Sequence, residues 1–213
     1  MILSHDPYNL IITGVGGQGN VLASRIVGDM LSRLDLHVTI GETFGATQRG
    51  GSVMSHLRVS SRSTWSPQIP KGKAHMIVAL EPIEAVRSLK DYGNPEVRVL
   101  CNTRPIHAIG VICGEQAYPG LENIKTWVRE LSHTAWFIDA TQEALRLGNP
   151  ILGNIICVGA IAGVGVLPMK RDLLEIVLSA KMTPSKVAAN LTAYDKGIEM
   201  IQGQAAKAEL TSP

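Results

Sequence analysis

The residues with the clearest chemical potential in this chain are Gly14-Val15-Gly16-Gly17-Gln18-Gly19. They follow the apolar run Leu10, Ile11, Ile12 and precede a segment of helical periodicity, an order that reads as strand, glycine turn, helix. Gly14, Gly16 and Gly19 fit a G-x-G-x-x-G template. Glycines there permit a tight turn and close backbone approach, while the helix N-terminus offers N–H donors and the positive end of its dipole to an anion. The same glycines also let a helix and a sheet pack closely, so the turn by itself leaves both readings open.

A second candidate follows the second apolar run. The connection from Gly41 to Ser52 is rich in glycine and polar residues, and in an open α/β fold it should meet the first turn at the carboxyl edge of the sheet, where such folds place ligands. Within it, Gln48, Arg49, Gly50, Gly51 and Ser52 are the candidate contacts. Arg49 offers a permanently charged, planar donor fork for phosphate or carboxylate, with the two glycines allowing backbone approach; the alternative is an exposed arginine beside a flexible turn. Glu42 stands where a dinucleotide-binding fold holds an acid against a ribose hydroxyl, which keeps a stand-alone NAD-binding oxidoreductase open. Its spacing from Gly14 is long for that fingerprint, and no Tyr-x-x-x-Lys pair is present. Asn102-Thr103-Arg104-Pro105 follows a strand and can line the same edge or form an ordinary turn. His56 and Arg58 share one strand face, facing either a partner or solvent. The histidines show no metal-ligand spacing.

The elements that must position these residues are legible as apolar runs at Asn9–Thr13, His37–Ile40, His75–Leu80, Val97–Cys101 and Ala135–Ile138, separated by helical segments. That alternation predicts an α/β fold: a three-layer Rossmann-like domain with a mostly parallel sheet and helices on both faces. Val21, Leu22, Ile26, Val27, Met30 and Leu31 give the helix after the glycine turn an apolar face. Val53–Ser60 alternates and reads as a half-exposed strand, antiparallel to its neighbours, with His56 and Arg58 outward. Pro82 and Pro184 mark helix starts, and the Thr141 hydroxyl is a candidate cap. The stretch from Ile151 to Pro168 is short for a bilayer span and reads as a buried, closely packed helix and turn. The last helix is expected to end near Ile201, and Ser63–Lys73 is the most loop-like internal stretch, able to reach toward a neighbour.

Composition sets the outer bounds. At 213 residues, 45% hydrophobic and 18% charged, the chain suits one compact core. A formal net charge of +2 gives no electrostatic case for nucleic acid. The three cysteines, Cys101, Cys113 and Cys157, lie far apart, so neither a disulfide framework nor a self-contained zinc or iron–sulfur site is readable. With no basic, long apolar leader at the N-terminus, the expected location is the cytoplasm.

Taken in order, Gly14–Gly19, Gln48-Arg49-Gly50-Gly51-Ser52-Val53 with Ser55-His56-Leu57-Arg58, Leu80-Glu81-Pro82 with Glu84-Ala85, Asn102–Ile106, Gly148-Asn149-Pro150 and Ala189-Asn190-Leu191 resemble the beta subunit of indolepyruvate ferredoxin oxidoreductases, the gamma-type domain of 2-oxoacid:ferredoxin oxidoreductases. The resemblance runs from about Asn9 to about Gly197, and departs from the pattern at Ala46-Thr47, where a methionine and a small residue are expected. It implies one gamma-type domain over residues 1–202; the residues after it, 203–213, read from the sequence as a flexible tail. It also implies a division of labour. A larger partner holds thiamine diphosphate and iron–sulfur clusters, decarboxylates a 2-oxoacid, passes electrons to ferredoxin and the acyl group to coenzyme A. This chain, holding no cofactor alone and inactive by itself, would supply positioning, with Gly14, Gly16, Gly17, Gln18, Gly19 and Gln48 to Ser52 facing the shared site. A non-catalytic scaffold that only docks a partner is the remaining alternative.

Overall fold

A computed structural model describes residues 3–45, 51–107 and 109–211, with the side chains of 109, 110 and 205–211 left aside. A six-stranded sheet runs in the order β2-β3-β1-β4-β5-β6, formed by β1 (Tyr8–Val15), β2 (His37–Phe44), β3 (Ser52–Ser60), β4 (Met76–Ala79), β5 (Arg98–Asn102) and β6 (Thr134–Ile138). Strands β1, β4, β5 and β6 pair in parallel, whereas β3 runs antiparallel to both β1 and β2. The expected mostly parallel α/β sheet is present, with one reversed strand inserted.

The central parallel strands β1, β4 and β5 are buried on both faces, which explains why their sequences read as continuous apolar runs, whereas the edge strands β2 and β6 are only partly covered. In β1, Leu10 and Ile12 enter one core and Ile11 the other. The first core is closed by α1 (Asn20–Ser32), α5 (Ala140–Arg146), α6 (Gly153–Val164), α7 (Arg171–Ser179) and α8 (Pro184–Thr211); the second by α2 (Pro82–Tyr92) and α4 (Leu121–Glu130). A short α3 (Ile109–Ile112) lies in the connection from β5 to α4. The apolar stretch from Ile151 is indeed a buried helix. A Cβ on Gly159 would strike the Tyr194 carbonyl of α8, and one on Gly197 the Ile156 carbonyl of α6, so these two helices meet backbone to backbone. Tyr194 then anchors the following turn by donating its hydroxyl to the Met169 carbonyl at 2.6 Å.

Several expectations change. Strand β3 is not half exposed: it lies between β1 and β2, and His56 and Arg58 are buried. The segment from Ser63 to Lys73 folds back over them. The His56 ring packs edge-on to Tyr92 at 5.1 Å, Ile69 is buried, and Trp65 lies over Arg58 at 4.9 Å. Asp139, not Thr141, caps α5, its carboxylate accepting the Gln142 N–H at 2.9 Å. Helix α8 continues to Thr211, well beyond Ile201. In α1 the buried face is carried by Ala23, Ile26, Val27, Met30 and Leu31, while Leu22 is 40% exposed.

Candidate functional site

β1 ends at Val15 and α1 begins at Asn20, so the connection is Gly16-Gly17-Gln18-Gly19. Gly17 (φ 102°) and Gly19 (φ 83°) occupy the left-handed region that glycine tolerates without strain. Gln18 folds back across the turn. Its Oε1 accepts the Val15 N–H at 2.8 Å, and its Nε2 donates to the Leu80 carbonyl at 2.7 Å, tying the end of β1 to the end of β4. A Cβ on Gly14 would lie 2.5 Å from the Gln18 amide oxygen and 2.7 Å from the Asn20 amide oxygen. On Gly19 it would strike the Asn154 amide of α6. Gly17 has open space on that side. Close packing therefore accounts for Gly14 and Gly19, and Gly17 is the position with room for a ligand. No side chain caps α1, which leaves its first-turn N–H groups without a side-chain acceptor.

Beside this turn a cavity of about 430 Å³ opens at the carboxyl edge of the sheet. Gly17, Gln18 and Gly19 form one side; Leu22, Leu80, Ile106, Ile151 and Cys157 give apolar walls. Asn102, Thr141 and Asn154 supply the polar groups. Asn102, at the end of β5, is fixed on three sides: its Nδ2 donates to the Leu80 carbonyl and the Thr141 hydroxyl, each at 3.0 Å, and its Oδ1 accepts the Ala140 N–H at 3.0 Å. The Asn154 Oδ1 is buried with no partner among the described residues, an acceptor still awaiting a donor. Among the described residues, the one ionisable group in the lining is the Cys157 thiol, which burial pushes up to about 12. The described lining groups can bind and orient a molecule.

Two buried acids at the start of α2 brace residues next to the cavity. Glu81 caps α2 by accepting the Glu84 N–H at 3.1 Å, and its other oxygen accepts the Ile106 N–H at 3.3 Å and the Tyr118 hydroxyl at 2.5 Å. It thereby holds the segment after β5, including the cavity residue Ile106, against α2. Burial pushes its carboxyl above the ordinary range, opposed by these hydrogen bonds and reinforced by Glu84. Glu84 accepts the Ser52 hydroxyl at 2.6 Å and pairs with Arg87 at 2.5 Å. The Ser52 bond fastens the end of the second glycine segment to α2.

Of the residues singled out from sequence, Gly51 and Ser52 do meet the first turn's surroundings. The Gly51 carbonyl accepts the Gly16 N–H at 2.9 Å, and the Ser52 carbonyl accepts the Gly45 N–H at 2.7 Å. Gln48, Arg49 and Gly50 lie outside the described residues. Glu42 does not join the turn: β3 separates its strand from β1, and it lies 3.8 Å from Arg25. The ribose-binding arrangement of a dinucleotide fold, which needs the second strand beside the first, is not assembled. Sequence reasoning passed over Asn154 and the roles of Glu81 and Glu84. Glu81-Pro82 preceding Glu84 carried a helix-start signal that, extended by an acidic cap, pointed to the pair.

The fold and this edge define a class: a doubly covered α/β domain with a cavity at the carboxyl edge of its sheet. Residues 9–200 match the family described as pyruvate ferredoxin/flavodoxin oxidoreductase, and the chain belongs to that family. It is 34% identical over 193 residues to indolepyruvate oxidoreductase subunit IorB of Pyrococcus horikoshii, covering 90% of this chain and 95% of the relative. The subunit of the same name from Thermococcus kodakarensis is 32% identical with the same coverage. Among solved structures, the 2-oxoglutarate:ferredoxin oxidoreductase of Magnetococcus marinus superposes with a TM-score of 0.73 at 20% identity, over 94% of this chain and 32% of its own. A pyruvate oxidoreductase subunit from Thermotoga maritima gives 0.69 at 17% identity, over 92% and 97%. At such identities these structural likenesses concern the fold. No helix among the described residues is long and apolar enough to cross a membrane.

Proposed function

We propose that this chain is the non-cofactor subunit of an indolepyruvate, or more broadly arylpyruvate, ferredoxin oxidoreductase of the cytoplasm. The observation that carries this reading is the full-length similarity to subunits bearing that name, 34% identical over 90% of the chain. Thiamine diphosphate and iron–sulfur clusters in the larger partner supply the decarboxylation of the 2-oxoacid and the transfer of electrons to ferredoxin.

This chain's residues bind, orient and exclude water. Leu22, Ile106 and Ile151 make the mouth of the carboxyl-edge cavity apolar. The Thr141 hydroxyl, positioned by Asn102, and the unpartnered Asn154 Oδ1 offer hydrogen bonds to the amide-bearing arm of coenzyme A. The free first-turn N–H groups of α1, with Arg49, anchor its phosphates. The residues from Gly14 to Gly19 and from Gln48 to Ser52 together face the shared site. With decarboxylation and electron transfer assigned to the larger partner, the chain alone is inactive.

Affinity purification without oxygen from the native host tests this reading. A large partner with iron–sulfur absorption and indolepyruvate-dependent ferredoxin reduction is expected; a colourless chain without a partner contradicts it. Within such a complex, Gln48→Ala and Arg49→Ala should slow the coenzyme A-dependent rate while the partner still copurifies. Loss of the partner with no separate loss of rate would favour a purely docking role.

A further inference from the structure

The opposite, amino edge of the sheet carries another cavity, of about 300 Å³, where the start of β1, the end of β3 and the connection from β3 to β4 converge. Arg58 lines it from β3 and is only 7% exposed. Its guanidinium has neutral partners. Nε donates to the Asn9 amide oxygen at 3.2 Å, Nη1 donates to the Ser66 carbonyl at 3.2 Å, and the Trp65 ring covers one face at 4.9 Å. Among the described residues, no carboxylate forms an ion pair with it. A buried cation without an anion is costly, and burial accordingly pulls the Arg58 guanidinium below its ordinary value.

The neighbouring groups add positive charge. Lys73 lines the same cavity and forms no ion pair among the described residues. His5 and His75 stack at 4.1 Å on its border. The His75 Nδ1 accepts the Asn9 N–H at 2.8 Å, so its Nε2 carries the hydrogen. One acid, Asp6, also lines the cavity: its Oδ2 accepts the Ser61 hydroxyl at 2.6 Å and the Ser61 N–H at 3.1 Å, with Arg62 at 3.8 Å, while its Oδ1 is buried with no partner among the described residues, so the site sets two cations against one carboxylate. Burial, then the charges of His5 and Lys73, hold His75 down to about 4, as a locally positive potential requires.

We propose that this cavity binds a small oxyanion, a phosphate or carboxylate group, held between the Arg58 guanidinium and the Lys73 ammonium beside the His5–His75 stack. One such group compensates both cations, and Arg58, fixed by Asn9, Ser66 and Trp65, is preorganised to receive it.

Titration of the full chain with inorganic phosphate, and separately with succinate, at constant ionic strength tests this, with the imidazole resonances of His5 and His75 read by NMR. Saturable shifts with at least one anion are expected; phosphate alone, succinate alone, or both identify the group recognised. Lys73→Ala should weaken binding about tenfold, the equivalent of one charge-assisted contact. Arg58→Met should abolish it, and Lys170→Ala, a surface lysine elsewhere, should leave it intact. Shifts that fail to saturate with either anion, or equal affinity in Lys73→Ala, overturn the proposal. The Lys73→Ala result decides even if Arg58→Met does not fold.

Discussion

At the carboxyl edge of the sheet α2 and α5 begin, and their N-terminal N–H groups are met by Glu81 and Asp139. At the amino edge, Arg58 instead has neutral hydrogen-bond partners, Asn9 and Ser66, and shares its cavity with Lys73 and Asp6. Both edges belong to the same layer of strands, yet their electrostatics are opposite in kind. Parallel strands joined through helices deliver helix N-termini to the carboxyl edge, and positive dipole ends there favour acids. Glu81 and Glu84 can therefore be buried as braces, which leaves the cavity between them and α1 lined by amides and apolar groups. The amino edge receives β3 running the other way, and with it Arg58, which forms no ion pair among the described residues. Among the described residues, the carboxyl edge keeps unpaired amide oxygens at Asn20 and Asn154 beside the uncapped start of α1, whereas the amino-edge cavity sets Arg58 and Lys73 against the single carboxylate of Asp6.

The largest effect that can break this contrast is at the glycine turn. Gly19→Ala meets both a left-handed backbone and the Asn154 amide, and should cost about 3 kcal/mol in urea denaturation. Gly17→Ala has open space and should cost about 1 kcal/mol, from backbone strain alone. Equal losses would mean that the turn is not braced by α6. Asn102→Ala strands the Ala140 N–H, and about 2 kcal/mol should be lost in the same assay.

Tyr118→Phe removes one donor from Glu81 and should cost about 1 kcal/mol at pH 7. The folded Glu81 carboxyl is already raised, so its contribution to stability is greatest below the unfolded value and falls as pH rises through the folded one. Losing a donor that favours the charged form steepens that fall, so denaturation at pH 4 should show a smaller penalty than at pH 7. At the amino edge the sign reverses. His75 is held neutral down to about 4, so stability is full above about pH 6.5 and is lost as pH falls toward 4. His75→Gln should flatten that decline, the smallest of these effects. A wild-type stability that does not fall over this window would show that His75 is protonated in the fold.

Much of the carboxyl edge was legible in the sequence because its signals are local. The glycine turn, the start of α2 at Pro82 and the position of Asn102 at a strand end each follow from residues adjacent in the chain. What was hidden depends on distant pairing. Insertion of β3 between β1 and β2 turned a strand with a polar face into a buried one, so His56 and Arg58 changed from surface to interior. The same insertion carried Glu42 away from the turn. Asn154 reaches Gly19 across 135 positions of sequence, a contact that leaves no periodicity to read. The alternation of β3 did signal a strand unlike its neighbours, but the layer covering its polar side came from the irregular Ser63–Lys73 segment.

The proposal that this chain acts through its carboxyl edge as one part of a larger oxidoreductase can be put to reconstitution without oxygen with the proposed thiamine diphosphate and iron–sulfur partner, measuring indolepyruvate-dependent ferredoxin reduction. Neither subunit alone should support the full rate, and mixing should restore it. Ile151→Asp, at the cavity mouth, should lose the restored rate, while Arg98→Ala at the amino edge should keep it. A rate independent of this chain, or full restoration by Ile151→Asp, would contradict the account.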